Sequence, residues 1–582
     1  MSNIPKGGSY IFGETNPEDI FTPEDFTDEH RMIRDMTTKF VANNVQTVIE
    51  EIDEKKEGVA VGLLKACGEL GLLGLDIPEK YNGMDMDKIS SAIVAECMGR
   101  AGAFGMMIHG GHTGIGSTPI VLFGNDDQKQ RYLPHVVTAE KIGAYALTEP
   151  EAGSDAMSIK TKAVLSADGT HYLLNGTKQF ISNVAIAGYH IVFAKIDGDK
   201  YTGFIMDADA AGLSYGPEEK KMGIKGSSTR TLIMENAQVP VENVLFEIGL
   251  GHVVAFNILN LGRYKIAAGS LGIAKYALEL SAIYANERRQ FNVPIAEFGL
   301  IKEKLAEMAV RIYVTESMVY RTGGLIEVSL RSAGVHEGQA IAKCIEEYAL
   351  ECSLNKVFAT EVLDYCVDEG VQIFGGYGFS SEYAIERLYR DARVTRIFEG
   401  TNEINRISIP ATLARKVAKD GLPLREAAEK VGQSISGKTV TRKNEADLVQ
   451  AAKDILIFTL DAAMNKFGKA LGKNQEIVGK LADLSIQAFA MESAWLRAQK
   501  AVAKVGEDDA KQKLRMATVY INANIGAMVN MSVEVLAAIA EGNELAGALE
   551  QLRALTNYTP RNTIGLRQEI AAAVSGAGKY VV

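Results

Sequence analysis

The chain has 582 residues, of which 47% are hydrophobic and 23% charged, and its formal net charge is −11. This length exceeds one hydrophobic core, so several structural units are expected, and the composition is typical of a globular rather than a disordered or fibrous protein. The acidic balance argues against nucleic acid as the main partner. No run approaches the ~18 apolar residues that span a bilayer, and no targeting segment is visible at the start of the chain. We therefore expect a soluble, cytoplasmic protein.

The cysteines and histidines predict neither disulfides nor a metal site. The cysteines are odd in number and scattered, with no CxxC pair, which is typical of reduced thiols. His109 and His112 lie three residues apart without carboxylate neighbours, so packed polar residues are favoured over metal ligands. The cysteines are Cys67, Cys97, Cys344, Cys352 and Cys366.

The first part of the chain, residues 1–141, is predicted to be a helical domain. Met32, Ile33, Met36, Phe40 and Val41 recur at helical spacing, and the segment GLLKACGELGLLGL continues the period. A glycine-rich stretch, GRAGAFGMMIHGGHTGIG, follows at residues 99–116.

Residues 142–252 have the texture of a β domain. The segments HYLLNGTKQFISN, YHIVFAKI, YTGFIMD and TRTLIMENAQVP are rich in β-branched and aromatic residues. The pairs Asp168-Gly169, Asn175-Gly176 and Asp197-Gly198 are predicted to be turns that separate strands.

Helical periodicity returns in residues 253–412 and again in residues 446–582, with a polar connection at 413–445. The connection is basic, because Leu413–Lys443 holds eight Lys and Arg against three Asp and Glu. It is predicted to be a solvated linker, and weak contact with an anionic membrane surface is the alternative. The predicted fold is mainly α with a central β domain and an extra helical C-terminal domain.

Three segments have residue types suited to chemistry. The segment ALTEPEAGSD, at 146–155, offers hydroxyl and backbone N–H groups to a planar ligand and its phosphates, and QFISN places an aromatic residue before a hydroxyl. In RIFEGTNEINR, Glu399 lies between Phe398 and Gly400. An apolar setting weakens the charged form of a carboxylate and makes it a better base. Taken singly, each segment is also typical of an ordinary turn or surface position. No Rossmann fingerprint, P-loop or nucleophile elbow occurs.

Six segments, in order, resemble the acyl-CoA dehydrogenase family: ALTEPEAGSD, QFISN, ILNLGRYKIAAG, NERRQF, VQIFGGYGF and RDARVTRIFEGTNEI. The resemblance covers about Glu24 to Ala414 and is strongest to the very-long-chain branch. It implies an N-terminal helical domain, a middle β domain and a C-terminal four-helix bundle. It also implies FAD-dependent conversion of fatty acyl-CoA to trans-2-enoyl-CoA in fatty acid β-oxidation. The electrons would pass to an electron-transfer flavoprotein.

By position in the family motifs, Glu399 is implied as the catalytic base. The Asn at position 260 favours a long acyl chain. FAD is implied to lie across a subunit interface, so a homodimer is expected. The residues implied to bind FAD are Leu147, Thr148, Ser154, Phe180, Ser182, Arg288, Gln290, Phe291, Gln372, Gly376, Thr401 and Glu403. Those implied to bind the substrate are Ser154, Asn260, Arg263 and Gly400.

Three other functions remain open at this stage. An acyl-CoA oxidase would use the same residues and reoxidise its flavin with O₂. A non-catalytic assembly or binding relative could dispense with the base, although Glu399 and its motif are intact. A DNA-repair relative is disfavoured by the acidic charge of the chain.

Overall fold

The computed structural model describes residues 4–333, 338–419, 421–435 and 440–582. Within these ranges the order of elements is helical, β, helical and helical again, as predicted. The first three parts surround one cavity, and the last part packs on the outer face of the bundle.

The N-terminal part contains six α-helices joined by short 3-10 and π-helical turns. Helix α1 begins at Thr27, whose side-chain oxygen accepts the N–H of His30 at 3.2 Å, a typical N-cap. The glycine-rich stretch forms two π-helical segments, Phe104–His109 and His112–Gly116, rather than regular α-helix. The α-helices are α1 (Asp28–Phe40), α2 (Ile49–Asp53), α3 (Val59–Glu69), α4 (Lys88–Met98), α5 (Thr118–Phe123) and α6 (Asp126–Val136).

The middle part is an eight-stranded mixed sheet. Its hydrogen-bonded order is β6-β7-β3-β2-β4-β5-β8, and β1 pairs with β4. Strand β1 runs parallel to β4. The loop that begins at Leu147 follows the carboxyl end of β1. The strands are β1 (Gly143–Ala146), β2 (Lys162–Leu165), β3 (His171–Ser182), β4 (Tyr189–Ile196), β5 (Lys200–Asp207), β6 (Leu213–Tyr215), β7 (Thr229–Pro240) and β8 (Val244–Leu245).

One predicted turn in this sheet is wrong. Asn175-Gly176 does not separate two strands but lies inside β3, where the register against β7 shifts between Leu174 and Gly176. A Cβ at Gly176 would lie 2.5 Å from the Thr161 hydroxyl oxygen, so glycine is needed for a close approach rather than for a turn. Glycine and asparagine are common both in turns and in β-bulges, which explains the error.

The third part is built on two long helices, α7 and α8, and on α10. Helix α7 is long and apolar enough to cross a membrane by length and composition, but 61% of its most apolar 18-residue window is buried inside the protein. A short hairpin of β9 (Arg289–Gln290) and β10 (Val293–Pro294) follows α7. The helices are α7 (Gly251–Glu287), α8 (Gly299–Ala333), α9 (Gly338–Glu347), α10 (Ala349–Phe374), α11 (Ala384–Ala392) and α12 (Asn402–Lys419).

The predicted connection at 413–445 is largely helical in the described residues. It holds the end of α12 and a further helix, α13 (Leu424–Ile435). Four of its basic residues form ion pairs with carboxylates, so less positive charge is free for a membrane surface than the sequence suggested. These four are Arg415, Lys416, Arg425 and Arg442. The remaining elements are β11 (Thr441–Arg442), α14 (Glu445–Phe467), α15 (Gln475–Val505), α16 (Lys511–Ile539), α17 (Gly542–Leu555), β12 (Asn557–Tyr558) and α18 (Thr563–Ala577).

A buried ion network joins this last part to the rest of the chain. Arg497 of α15 is 1% exposed, and its guanidinium lies 2.9 Å from Glu24 and 2.6 Å from Glu316 of α8. Glu316 also pairs with Lys275 of α7. Burial alone would raise the pKa of Glu316, but Lys275 and Arg497 together lower it to about 2. The network therefore ties α7, α8, α15 and the N-terminal segment together.

We expect the substitution Arg497→Met to lower the free energy of unfolding by about 3 kcal/mol, because it removes the guanidinium that Glu24 and Glu316 share and leaves each carboxylate with one lysine partner. An ordinary glutamate has a pKa of 4.5, and that of Glu316 is lowered to about 2. A carboxyl with a lowered pKa stabilises the fold only when it is ionised, so in the wild type this contribution should be lost as the pH falls from 4.5 toward 2. Urea denaturation followed by circular dichroism measures both effects. Arg425→Met is the control, because Arg425 is an exposed partner of Glu429 and should cost at most about 1 kcal/mol. Equal losses in the two variants would contradict the network's role.

Candidate active site

A cavity of about 330 Å³ lies where the three parts meet. Its walls come from the π-helical stretch, helix α7, the loop after β1, the end of β3 and the segment 395–404. The structure brings eight of the predicted site residues together in this wall. They are Leu147, Thr148, Ser154, Phe180, Ser182, Arg263, Glu399 and Gly400.

Glu399 is held in an unusual backbone conformation at the centre of the site. Its φ is +56°, and Gly400 follows with φ +80°, so the chain makes a left-handed turn that costs energy at a glutamate. The carboxylate oxygen Oε2 is buried and makes no hydrogen bond. The space for it is provided by Gly262 of α7, where a Cβ would lie 2.9 Å from Oε2.

The environment adjusts the proton affinity of this carboxylate. Burial raises the pKa of Glu399 to about 7, while the positive charges of Arg263 and Lys356 oppose the rise. A base with a pKa near the working pH combines a useful ionised fraction with a strong tendency to take a proton. Glu399 is thus suited to general base catalysis at neutral pH.

Arg263 fixes the turn from the α7 side. Its Nε donates to the carbonyl oxygen of Glu399 at 3.3 Å, and its Nη1 donates to Asn260 Oδ1 at 3.2 Å and to Ser353 Oγ at 3.4 Å. Asn260 is buried and does not line the cavity. In this structure Asn260 therefore contacts Arg263, and its predicted role in substrate binding would be exerted through that arginine.

The two segments predicted to hold the flavin are joined by hydrogen bonds. The N–H of Gln179 donates to the carbonyl of Thr148 at 2.8 Å, and Lys178 Nζ donates to Leu147 O at 3.3 Å. A second register shift in β3 lies between Lys178 and Ile181. Within it Phe180 has a φ of +58°, and the residue is 59% exposed at the cavity. The bulge thus presents an aromatic face beside Thr148.

The other predicted FAD residues lie outside the cavity. Arg288, Gln290, Phe291, Gln372 and Gly376 are all exposed on the surface of the bundle, where the Arg288 guanidinium lies 5.5 Å from the centre of the Tyr377 ring. The motifs NERRQF and VQIFGGYGF therefore meet each other but not the flavin segments.

Thr401 and Glu403 begin helix α12 and do not line the cavity either. The Thr401 hydroxyl accepts the N–H of Ile404 at 3.2 Å, so it caps the helix. Glu403 is exposed.

His109 and His112 are both buried, and each ring contacts a backbone carbonyl. Their Nε2 atoms lie 3.2 Å from Leu72 O and 3.0 Å from Val136 O. Burial lowers the pKa of each to about 4, so both are neutral at pH 7. Among the described residues no cluster of three His, Cys, Asp or Glu could hold a metal ion.

Comparison with known proteins shows which family the chain resembles over its whole length. Family models match residues 27–140 (Acyl-CoA dehydrogenase, N-terminal domain), 144–237 (middle domain), and 249–414 and 451–554 (both C-terminal domain). A probable acyl-CoA dehydrogenase of Bacillus subtilis (strain 168) is 49% identical over 591 residues, covering 100% of this chain and 99% of that protein. An acyl-CoA dehydrogenase from Bacillus anthracis, solved in complex with FAD, is 51% identical with a TM-score of 0.97, covering 99% of this chain and 100% of that one.

The chain belongs to the acyl-CoA dehydrogenase family. A more distant relative, the mitochondrial very long-chain specific acyl-CoA dehydrogenase of Macaca fascicularis, is 34% identical over 510 residues, covering 80% of this chain and 75% of that protein. The fold inferred from the sequence is confirmed, including the extra C-terminal helical domain. The enzyme is an FAD-dependent acyl-CoA dehydrogenase.

The cavity wall of this acyl-CoA dehydrogenase has polar groups suited to a flavin cofactor. Buried polar atoms in the wall lack a partner within the protein, namely the Tyr145 hydroxyl, Asn183 Oδ1, Ser270 Oγ and Glu399 Oε2. Unpaired buried polar atoms are rare in folded proteins and indicate a site that a polar ligand completes. Leu147, Thr148, Phe180 and Ser182 are the residues that would hold the flavin ring beside Glu399.

Two important residues of the site were missed in the sequence. Gly262 lies inside the long apolar helix α7, where a glycine destabilises the helix by about 1 kcal/mol relative to alanine. A glycine at such a position indicates a need for space, and this could have been noticed in the sequence. Lys356 lies in an equally apolar segment of α10 and is completely buried. A lone lysine in an apolar helical stretch could have been singled out.

We expect Gly262→Ala to slow reduction of the bound flavin by acyl-CoA about a hundredfold, because displacing a catalytic group by about 1 Å has that effect. The added methyl would press on the Glu399 carboxylate, while FAD content should stay near normal. Single-turnover absorbance of the flavin measures the rate. Gly526→Ala in α16 is the matched control, since a Cβ there meets nothing within 4 Å. An unchanged rate in Gly262→Ala would contradict this packing argument.

Proposed function

We propose that the enzyme converts long-chain fatty acyl-CoA to trans-2-enoyl-CoA in fatty acid β-oxidation and passes the electrons to an electron-transfer flavoprotein. The observation that carries the proposal is the unpartnered Glu399 carboxylate, buried in the wall of a mainly apolar cavity. It lies beside the segments suited to a flavin, so one group can take a proton while the cofactor takes a hydride.

In this proposal Glu399 removes the α-proton of the thioester. The charge that develops on the thioester oxygen needs hydrogen-bond donors, and the N–H of Glu399 supplies one of them. Arg263 holds the carbonyl of the same residue, which keeps the left-handed turn in place during the proton transfer. FAD, when bound, supplies the acceptor for the β-hydride.

The preference for long acyl chains rests on two supports. The cavity extends between α4, α7 and the π-helical stretch, where its lining includes Val94, Ala95, Gly99, Gly105 and Ile273. Small and apolar side chains in these positions leave room for an alkyl chain. The second support is the relative from Macaca fascicularis, whose name specifies very long chains.

We expect Glu399→Gln to retain FAD and bind acyl-CoA, yet reduce its flavin about 10²- to 10⁴-fold more slowly, because the base is removed while the shape is kept. In the wild type the reduction rate should rise with pH through about 7, where the carboxyl becomes ionised. Anaerobic stopped-flow mixing with palmitoyl-CoA and octanoyl-CoA measures these rates and the chain-length preference. Near-normal bleaching in Glu399→Gln would rule out this base.

Rapid reoxidation of the reduced wild type in air would favour the oxidase alternative.

We also propose that the enzyme is a homodimer whose subunits share each FAD. The five predicted FAD residues on the bundle surface are separated from the cavity, so a second subunit is needed to bring such residues to it. Phe291 and Phe379, beside them, are both 87% exposed, and exposed aromatic residues of this kind are typical of interfaces.

Co-expression of two inactive variants tests the shared site. We expect Glu399→Gln and Arg288→Ala to be inactive alone or to lose FAD, whereas the mixed dimer should regain one working site. That site would combine the intact Glu399 of one subunit with the intact Arg288 of the other. Flavin bleaching by palmitoyl-CoA in doubly tagged, purified dimers measures it, and separately mixed homodimers are the control. No recovery in the hybrid, or a monomer with full FAD by light scattering, would contradict the proposal.

For location we propose the cytoplasm, with at most weak peripheral contact with a membrane. The five cysteines are free thiols, which suits a reducing compartment. The ion pairs of the basic stretch reduce its attraction to anionic lipid, since each free basic residue near such a surface is worth only about 1 kcal/mol.

A further inference from the structure

Lys356 of α10 is a completely buried lysine directly behind the catalytic turn. Its Nζ donates to the carbonyl oxygen of Gly400 at 2.9 Å and to Asn402 Oδ1 at 2.7 Å. Both acceptors are neutral. Within the part of the chain that the structure describes, no carboxylate forms an ion pair with this ammonium group.

A buried ammonium without a paired carboxylate is costly, because the hydrogen bonds of neutral groups replace only part of the lost hydration. A methionine would occupy similar space without that cost. Burial accordingly lowers the pKa of Lys356 to about 7, with Arg263 acting in the same direction and Glu399 opposing it. Packing alone therefore does not account for a lysine at this position.

The contacts of Lys356 explain its value at the site. Arg263 binds the carbonyl of Glu399, and Lys356 binds the next carbonyl along the chain, that of Gly400. Asn405 Nδ2 donates to the same Gly400 oxygen at 2.8 Å. The two peptide groups after the base are thus held from α7, α10 and α12, so the left-handed turn cannot relax without breaking these bonds.

We propose that Lys356 is a positioning residue for the base, one that holds the Glu399–Gly400 turn and whose protonated form favours the ionised Glu399 carboxylate. The proposal rests on the proposed role of Glu399 as the base. Other charged or titratable groups act on this pair, and Arg263 is the other cation among them. They are Arg263 of α7, Glu361 of α10, Glu403 of α12 and Tyr145 of β1.

The consequence is a defined pH dependence. A nearby positive charge favours the ionised form of a carboxyl, so loss of Lys356 should raise the pKa of Glu399 above about 7. At neutral pH less of the base would then be ionised, and flavin reduction would slow. At alkaline pH the ionised fraction would recover, and so would most of the rate if the turn is kept.

The test is an infrared pH titration of the Glu399 carboxyl in the purified FAD enzyme, with the band assigned as the one missing from Glu399→Gln. In Lys356→Met we expect the pKa of Glu399 to rise by about one unit, corresponding to a stabilisation of the ionised form by a single nearby charge. The pH profile of flavin reduction should move by the same amount. Lys356→Arg should not raise the pKa of Glu399, because a positive charge remains.

Lys416→Met is the matched control, since Lys416 is 2% exposed and its ammonium pairs with Glu347, 2.7 Å away. It removes a buried lysine charge without touching the turn, so the Glu399 titration should not move. If Lys356→Met does not fold, Lys356→Gln decides the matter, because it keeps a donor for Gly400 without the charge. An unshifted titration in the neutral variants, or an equal shift in Lys416→Met, would overturn the proposal. Rapid flavin reduction by Glu399→Gln would instead refute the role of Glu399 as the base. The infrared titration would still show whether Lys356 affects the pKa of Glu399, so the two failures can be told apart.

Discussion

A catalytic carboxylate with one oxygen buried and without a hydrogen-bond partner is the constraint on which the rest of the site depends. Glu399 Oε2 is buried and makes no hydrogen bond, a state that proteins usually avoid because an isolated buried charge is costly. Three residues of two neighbouring helices make it tolerable. Helix α7 supplies the space at Gly262 and a cation at Arg263, and α10 supplies a second cation at Lys356. The result is a base whose pKa lies near 7 instead of 4.5.

Two residues of the site have strained backbone conformations that contacts from neighbouring elements hold in place. Glu399 and Phe180 both have positive φ values, and both face the cavity from different domains. Strained conformations of this kind persist only where the surroundings hold them. For Phe180 the support is the bulge between β3 and β7, and for Glu399 it is the set of bonds from Arg263, Lys356 and Asn405 to the carbonyls of the turn.

The additional helical domain contributes to the site only indirectly. Arg497 and Lys500 of α15 pair with Glu24 and Asp25 of the N-terminal segment, and Arg321 of α8 pairs with Glu492 of α15. Helix α8 packs against α7 and α10, the two helices that hold the base. The additional domain therefore packs behind the helices that hold the base, and none of its described residues lines the cavity.

The sequence by itself determined the order of helical and β parts, because hydrophobic periodicity and turn residues act over a few neighbouring positions. It also determined the family and the place of Glu399, since those depend on short contiguous motifs. Tertiary structure alone decided which motifs share a cavity and which face outward, as Arg288 and Gln372 do. It also revealed Gly262 and Lys356, which lie 137 and 43 residues before Glu399 in the chain. Their effects depend on contact between residues that are distant in the chain and on the exclusion of water. Neither can be inferred from the residues that neighbour them in the sequence.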